Sequence, residues 1–261
     1  MNSLKKTFEN RKALIAFVMA GDPDINTSAD ICSTLESSGA DILELGIPFS
    51  DPLADGPIIQ ASGQRSLRRG TTLASVLDLA ETLRNSVKVP LLLMGYVNPI
   101  LRYGYERFAR RAAEAGIDGV IVADLPFDEG KGLRTALDRE GLINIPMVSP
   151  NSPEKRLQEM GRDAKGFVYC VSMLGTTGSH KDLHEDMEGY LRRVRRHFSI
   201  PTVVGFGIKD PERAQRAAAL AEGVVVGSAI MDLVSKHQED KERLLEEVRH
   251  LTSKMRAVLG P

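Results

Sequence analysis

The chain of 261 residues contains no tryptophan and only two cysteines, and its charges nearly cancel: 34 lysines and arginines face 35 aspartates and glutamates, for a net charge of −1. Cys32 and Cys170 make no disulfide framework and no thiolate metal cluster, so a reducing compartment and two buried, apolar side chains are expected. Balanced charge supplies no strong field to attract nucleic acid or an anionic membrane, and an anionic ligand must be held by local groups. Long apolar runs are missing as well. The run Ala13 to Ala20 follows Lys5, Lys6, Arg11 and Lys12, but Gly21-Asp22-Pro23 breaks it, and it reads as a strand rather than as a secretory or membrane segment. A soluble cytoplasmic protein is expected. No linker rich in proline or serine, no low-complexity tract and no internal repeat interrupts the chain.

What is present is alternation. An apolar fraction of 42% supports a large core, carried in eight short runs: Leu14 to Ala20, Asp41 to Leu45, Pro90 to Gly95, Gly119 to Ala123, Ile143 to Ser149, Phe167 to Ser172, Thr202 to Gly205 and Gly223 to Gly227. Between them lie stretches with apolar residues near a 3.6 period: Thr27 to Ser38, Leu73 to Ser86, Glu106 to Ala115, Gly132 to Glu140, Pro153 to Met160, Met187 to His197 and Pro211 to Leu220. Further helices are expected at Leu4 to Asn10 and Lys241 to Val258. Runs without internal polar alternation imply strands buried on both faces, as in a parallel sheet covered by helices. Eight such units favour a closed α/β barrel over a doubly wound sheet, and the length, close to the roughly 250 residues typical of one barrel, allows a single domain over residues 1–261.

Active sites of such barrels form at the C-terminal strand ends. Glu44 lies at the end of the second apolar run, and Asp55 follows in a loop holding Pro48, Pro52, Gly56 and Pro57. Two carboxyls on different supports can be tuned apart, one raised in pKa by burial and the other kept ionised in a more polar setting, which suits general acid–base work. Two glycine turns, Gly205-Phe206-Gly207 after the seventh run and Gly227-Ser228 after the eighth, let backbone N–H groups converge on a phosphate, helped by the start of the segment Ser228 to Leu233. Phe206, held between two site glycines, is expected to touch the ligand. Phe17 and Tyr169 can either line an apolar slot or simply pack the core. His180 and His184 lack a third ligand, so they read as solvated loop residues and no metal is expected. In Arg192 to His197, Leu191, Val194 and Phe198 form an apolar stripe, and the basic residues read as the solvated face of that helix.

The residues 43–57, LELGIPFSDPLADGP, together with 17–24 FVMAGDPD, 93–100 LMGYVNPI, 118–126 DGVIVADLP, 205–212 GFGIKDPE and 226–230 VGSAI, resemble the tryptophan synthase alpha subunit family along nearly the whole chain. The resemblance implies a (β/α)₈ TIM barrel with an extra N-terminal helix. It implies a lyase that splits indole-3-glycerol phosphate by retro-aldol cleavage, needs no cofactor or metal, and serves tryptophan biosynthesis. The absence of tryptophan suits an enzyme that must be translated when tryptophan is scarce. By resemblance, Glu44 and Asp55 are catalytic, Phe17, Tyr169 and Phe206 meet the indole, and Gly178, Gly207, Gly227 and Ser228 meet the phosphate. Thr177 positions Asp55 from the loop Met173 to Met187, in which Met173 and Thr176 depart from the arginine and valine common in relatives. The family works as an alpha2beta2 heterotetramer whose beta subunit carries pyridoxal phosphate, and the partner surface is expected near Pro48, Asp51 and Asn98. A stand-alone lyase and a non-catalytic regulatory barrel are the alternatives. The two acids and both phosphate turns speak against the second.

Overall fold

A computed structural model describes residues 3–171, 186–205 and 207–260. The strands, in chain order, are β1 (Ala13–Met19), β2 (Ile42–Gly46), β3 (Leu91–Gly95), β4 (Gly119–Val122), β5 (Ile143–Asn144), β6 (Met147–Val148), β7 (Val168–Val171), β8 (Thr202–Gly205) and β9 (Gly223–Val226). The helices are α1 (Ser3–Thr7), α2 (Ile25–Ser37), α3 (Pro57–Arg68), α4 (Leu73–Leu83), α5 (Val97–Tyr103), α6 (Tyr105–Glu114), α7 (Lys131–Arg139), α8 (Glu154–Arg162), α9 (Met187–Arg195), α10 (Pro211–Leu220), α11 (Ser228–His237) and α12 (Lys241–Leu259). Every pairing is parallel, in the order β5-β4-β3-β2-β1-β9-β8-β7-β6. The two ends of that order are successive pieces of one extended segment, so the sheet closes on itself as an α/β barrel.

The closure explains why nine strands stand where eight runs were expected. The run Ile143 to Ser149 is divided at Pro146, which has no N–H to give to a ladder. Before the proline the segment pairs with β4, Ile145 donating to Val120 at 2.9 Å; at the proline it turns to β7, the Pro146 carbonyl accepting from Tyr169 at 2.8 Å. Expected helices recur with ends within three residues, and α9 buries Leu191 and Val194 beneath its arginines. Three helices were not expected, one of them α11, of which only a short segment Ser228 to Leu233 was marked. Pro57, counted as a loop residue, opens α3 at its first turn, where a missing N–H costs nothing. In α5 the Val97 N–H is taken up by Asp124 Oδ1 at 2.8 Å, a partner from the next β–α loop that no local pattern reveals.

Alternation along each strand sorts two cores. Leu14, Ala16 and Val18 of β1 and Leu43 and Leu45 of β2 face the helices, while Ala13, Ile15, Ile42, Leu92, Ile121, Ile143, Phe167, Val203 and Val225 fill the barrel interior. Leu4 of α1 joins the interior set and Phe8, just beyond it, lies 5.7 Å from the Phe167 ring, so the N-terminal segment stops the lower end. At the same end the Asp41 carboxylate accepts from Leu14 N–H at 2.7 Å and from Arg256 at 2.6 Å, tying α12 to the first two strands.

At the upper end, fully buried Asp22, just after β1, accepts from Arg65 of α3 at 2.8 and 2.7 Å and from Ser62 at 2.5 Å. This pair holds α3, and with it the loop that α3 terminates, against β1. Removing one partner leaves a largely buried charge uncompensated, so Asp22→Ala should lower stability by about 3–5 kcal/mol. Urea unfolding measures it, and a loss under about 1 kcal/mol would show that the pair does not hold α3 in place.

Candidate active site

Glu44 follows Ile42 by two along β2, and the strand period turns both side chains inward. It is fully buried, and neither carboxyl oxygen has a hydrogen-bond partner among the described residues. Burial without compensation disfavours the charged form, and its pKa is pushed up to about 8. The group is therefore mostly protonated at neutral pH.

Asp55 arrives on a compact turn in which Asp55 N–H donates to Pro52 at 3.0 Å and the Asp55 carbonyl accepts from Gln60 Nε2 of α3 at 2.9 Å. Its carboxylate accepts a hydrogen bond from the Tyr96 hydroxyl, which in turn accepts from Ala54 N–H at 3.1 Å. Tyr96, 5.3 Å from the Phe49 ring, is itself buried, so the hydroxyl stays a donor. Asp55 was expected to stay ionised in a more polar setting. Instead it is only 8% exposed, and burial raises it to about 6 against the lowering effect of the Tyr96 hydrogen bond. The two acids are still tuned apart, Asp55 mostly ionised and Glu44 mostly protonated near pH 7.

Both acids open on one cavity lined by Phe17, Glu44, Asp55, Ile59, Met94, Tyr169, Gly207, Ile208, Val225, Gly227 and Ser228. The aromatic walls need glycine neighbours. A Cβ on Gly46 would stand 2.5 Å from the Phe17 ring, and one on Gly205 would stand 2.2 Å from the Tyr169 hydroxyl. Opposite the acids, Gly207, Gly227 and Ser228 bring the β8 turn and the start of α11 together, and α11 runs on to His237 rather than ending near Leu233. Among the described residues no side chain caps α11, which leaves its first N–H groups available to an anion.

Of the residues singled out from the sequence, Phe17, Glu44, Asp55, Tyr169, Gly207, Gly227 and Ser228 meet at this cavity. Phe206, Thr177 and Gly178 lie outside the described residues, as do Met173, Thr176, His180 and His184. Asp51 and Asn98 are exposed, whereas Pro48 is buried. Tyr96 and Gln60 were not recognised as site residues. Tyr96 could have been, since it directly follows β3; Gln60 could not, because α3 was read as loop. Among the described residues no cluster of His, Cys, Asp or Glu is placed to hold a metal ion, and no helix is long and apolar enough to cross a membrane. Cys32 and Cys170 are buried free thiols, pushed up to about 12 by burial.

A parallel α/β barrel with two carboxyls raised to different degrees on an apolar cavity, facing a glycine-lined corner at the last two strands, defines an enzyme of acid–base type acting on a small molecule. The comparisons say which. The chain belongs to the tryptophan synthase alpha chain family, whose profile matches residues 3–259. It is 46% identical to the tryptophan synthase alpha chain of Geotalea uraniireducens over 254 residues, covering 97% of this chain and 95% of that protein. The crystal structure of tryptophan synthase subunit alpha from Legionella pneumophila superposes with a TM-score of 0.91 at 36% identity, over 99% of this chain and 98% of that one. A chain of Mycobacterium tuberculosis tryptophan synthase gives 0.88 at 35% identity, over 99% and 98%.

The burial of Glu44 has a consequence for stability. Its folded pKa stands at about 8, above the ordinary value of 4.5, so the folded chain retains a proton that the unfolded chain releases. The stability this group contributes is fully present below about pH 4.5 and is lost as pH rises through about 8. Between pH 6.5 and 9, outside the range in which Asp55 titrates most, Glu44→Gln should lose less unfolding free energy than wild type in urea titrations. Equal losses would show that Glu44 does not titrate as a buried group.

Proposed function

We propose that this chain carries out the carbon–carbon cleavage of its family, splitting indole-3-glycerol phosphate into indole and glyceraldehyde 3-phosphate in tryptophan biosynthesis, with Glu44 and Asp55 as the acid–base pair. The observation that carries this reading is the pairing, on one apolar cavity, of an acid raised to about 8 with an acid raised only to about 6. Protonated Glu44 gives its proton to the indole carbon that bears the side chain, while the Asp55 carboxylate takes the proton from the ring nitrogen. The ionised Glu44 then removes the proton of the adjacent side-chain hydroxyl. The carbon–carbon bond breaks, the aldehyde forms, and the electron pair flows through the ring to the nitrogen, which recovers its proton from Asp55. Both carboxyls return to their starting states, and the sequence of proton transfers calls for no cofactor. Tyr96 holds Asp55 in place, Phe17 and Tyr169 flank the ring, and Gly207, Gly227 and Ser228 hold the phosphate. The phosphate does not react, so its binding fixes the scissile bond against the acids.

The whole chain acts as one cytoplasmic domain in this reading. Two copies flank a dimer of beta chains, which hold pyridoxal phosphate and consume the indole. Support for a docking face comes from Leu53, 85% exposed on the Asp55 loop, and Leu101, 57% exposed on α5, close to exposed Asp51 and Asn98. A non-catalytic barrel has no use for two buried, unequal acids, and the response to added beta chain separates the partnered enzyme from a stand-alone lyase.

Glu44→Gln and Asp55→Asn should each lower turnover by about 10²–10⁴-fold. The wild-type rate should be bell-shaped in pH, falling below about 6 as Asp55 takes a proton and above about 8 as Glu44 loses one. Steady-state kinetics across pH 5–9 checks both; turnover close to normal in either variant removes that residue from the chemistry. Added beta chain should raise turnover, and Leu53→Asp should require at least about tenfold more beta chain for half-maximal activation while the isolated chain keeps its own rate. An unchanged activation curve would move the docking face elsewhere.

A further inference from the structure

Behind the Gly207 turn, on the side away from the cavity, α10 carries an arginine that the mechanism leaves unused. The Arg213 side chain is only 13% exposed, with Nε 3.8 Å from Asp210 Oδ2, and its Nη1 donates to the Gly207 carbonyl at 3.1 Å. Asp210 also caps the helix, its Oδ1 accepting from Arg213 N–H at 2.8 Å. The Asp210 carboxylate thus meets both backbone and side chain of Arg213, and the planar guanidinium, whose donors stand at fixed angles, reaches Gly207.

The consequence runs through the peptide between Gly207 and Ile208. It is trans, so its N–H points opposite to its carbonyl. The carbonyl is turned toward Arg213, which lines a second groove with Lys209, His250, Gly207 and Ser228 and is not part of the acid-bearing cavity, whereas Gly207 and Ile208 line that cavity. Ile208 is 1% exposed, and its N–H has no acceptor among the described residues. Gly207 sits at φ 82°, where a residue without Cβ meets little resistance to a peptide flip that would point the carbonyl, a negative dipole end, toward a bound anion.

We propose that Arg213 is a positioning residue for phosphate binding: by holding the Gly207 carbonyl outward it keeps the Ile208 N–H turned to the cavity as an anion donor. Its cationic head adds a fixed positive charge behind the turn. The inference rests on the reading of Gly207, Gly227 and Ser228 as the phosphate corner.

The test compares Arg213→Met, which keeps the packed stem, with Arg213→Lys and with Gly207→Val. Affinities are measured by titration for glycerol 3-phosphate, inorganic phosphate and indole, alongside kcat and KM for indole-3-glycerol phosphate. Arg213→Met should weaken both phosphate probes and raise KM by about tenfold, the scale of one lost charge-assisted hydrogen bond, with kcat within about twofold and indole affinity unchanged. Arg213→Lys should recover part of the loss. Wild-type phosphate affinity in Arg213→Met, or a parallel loss of indole affinity that marks a merely structural role, would overturn the proposal. Gly207→Val separates the two levels. If it abolishes phosphate binding while Arg213→Met does not, only the role of Arg213 fails; if phosphate binding survives in both, the phosphate corner itself is elsewhere.

Discussion

Two carboxyl oxygens without a hydrogen-bond donor among the described residues, enclosed in a barrel of apolar side chains, are costly to ionise, and Glu44 answers that cost by keeping its proton. Much around the site follows from this constraint. The interior below it is filled by Ile15, Ile42, Leu92 and Val225, which give the carboxyl neither water nor a counter-charge. Phe17 and Tyr169 close the walls because Gly46 and Gly205 leave space for their rings. A cation in this layer would pull the pKa of Glu44 down and remove the proton that the proposed first step delivers.

Asp55 has the opposite task and a different support. A loop residue can be oriented by groups from several elements, and here Tyr96 after β3, Gln60 of α3 and the turn from Pro52 all act on it. Asp55 is less completely desolvated than Glu44, and the Tyr96 hydroxyl offsets part of what desolvation remains, so it rises only to about 6. The Asp22–Arg65 pair anchors the helix that ends this loop, so an ion pair at the exit of β1 bears on an acid that follows β2.

Apolar closure and chemistry occupy opposite ends of the barrel. The N-terminal end is stopped by Leu4 and Phe8 and tied by Asp41 and Arg256, while the C-terminal end keeps its cavity open between acids and glycine turns. Such separation lets the loops at one end vary without unsettling the closed sheet at the other.

The sequence by itself determined the class of fold, because continuous apolar runs and 3.6-period stretches are local consequences of where each residue must face. It also marked several residues that converge, since Glu44, Gly207 and Gly227 lie at or just beyond strand ends and Asp55 lies in the loop that follows β2. It could not reveal that the fifth run divides at Pro146, because that depends on β4 and β7 competing for the same few residues from opposite sides. Nor could it reveal α5, whose first N–H is satisfied by Asp124 from another loop, or the roles of Tyr96 and Arg213, which act across gaps of 41 and 6 residues on Asp55 and Gly207. The raised pKa of Asp55 belongs to the same group. Desolvation is a property of everything that packs around a side chain, and only the closed barrel brings those neighbours together.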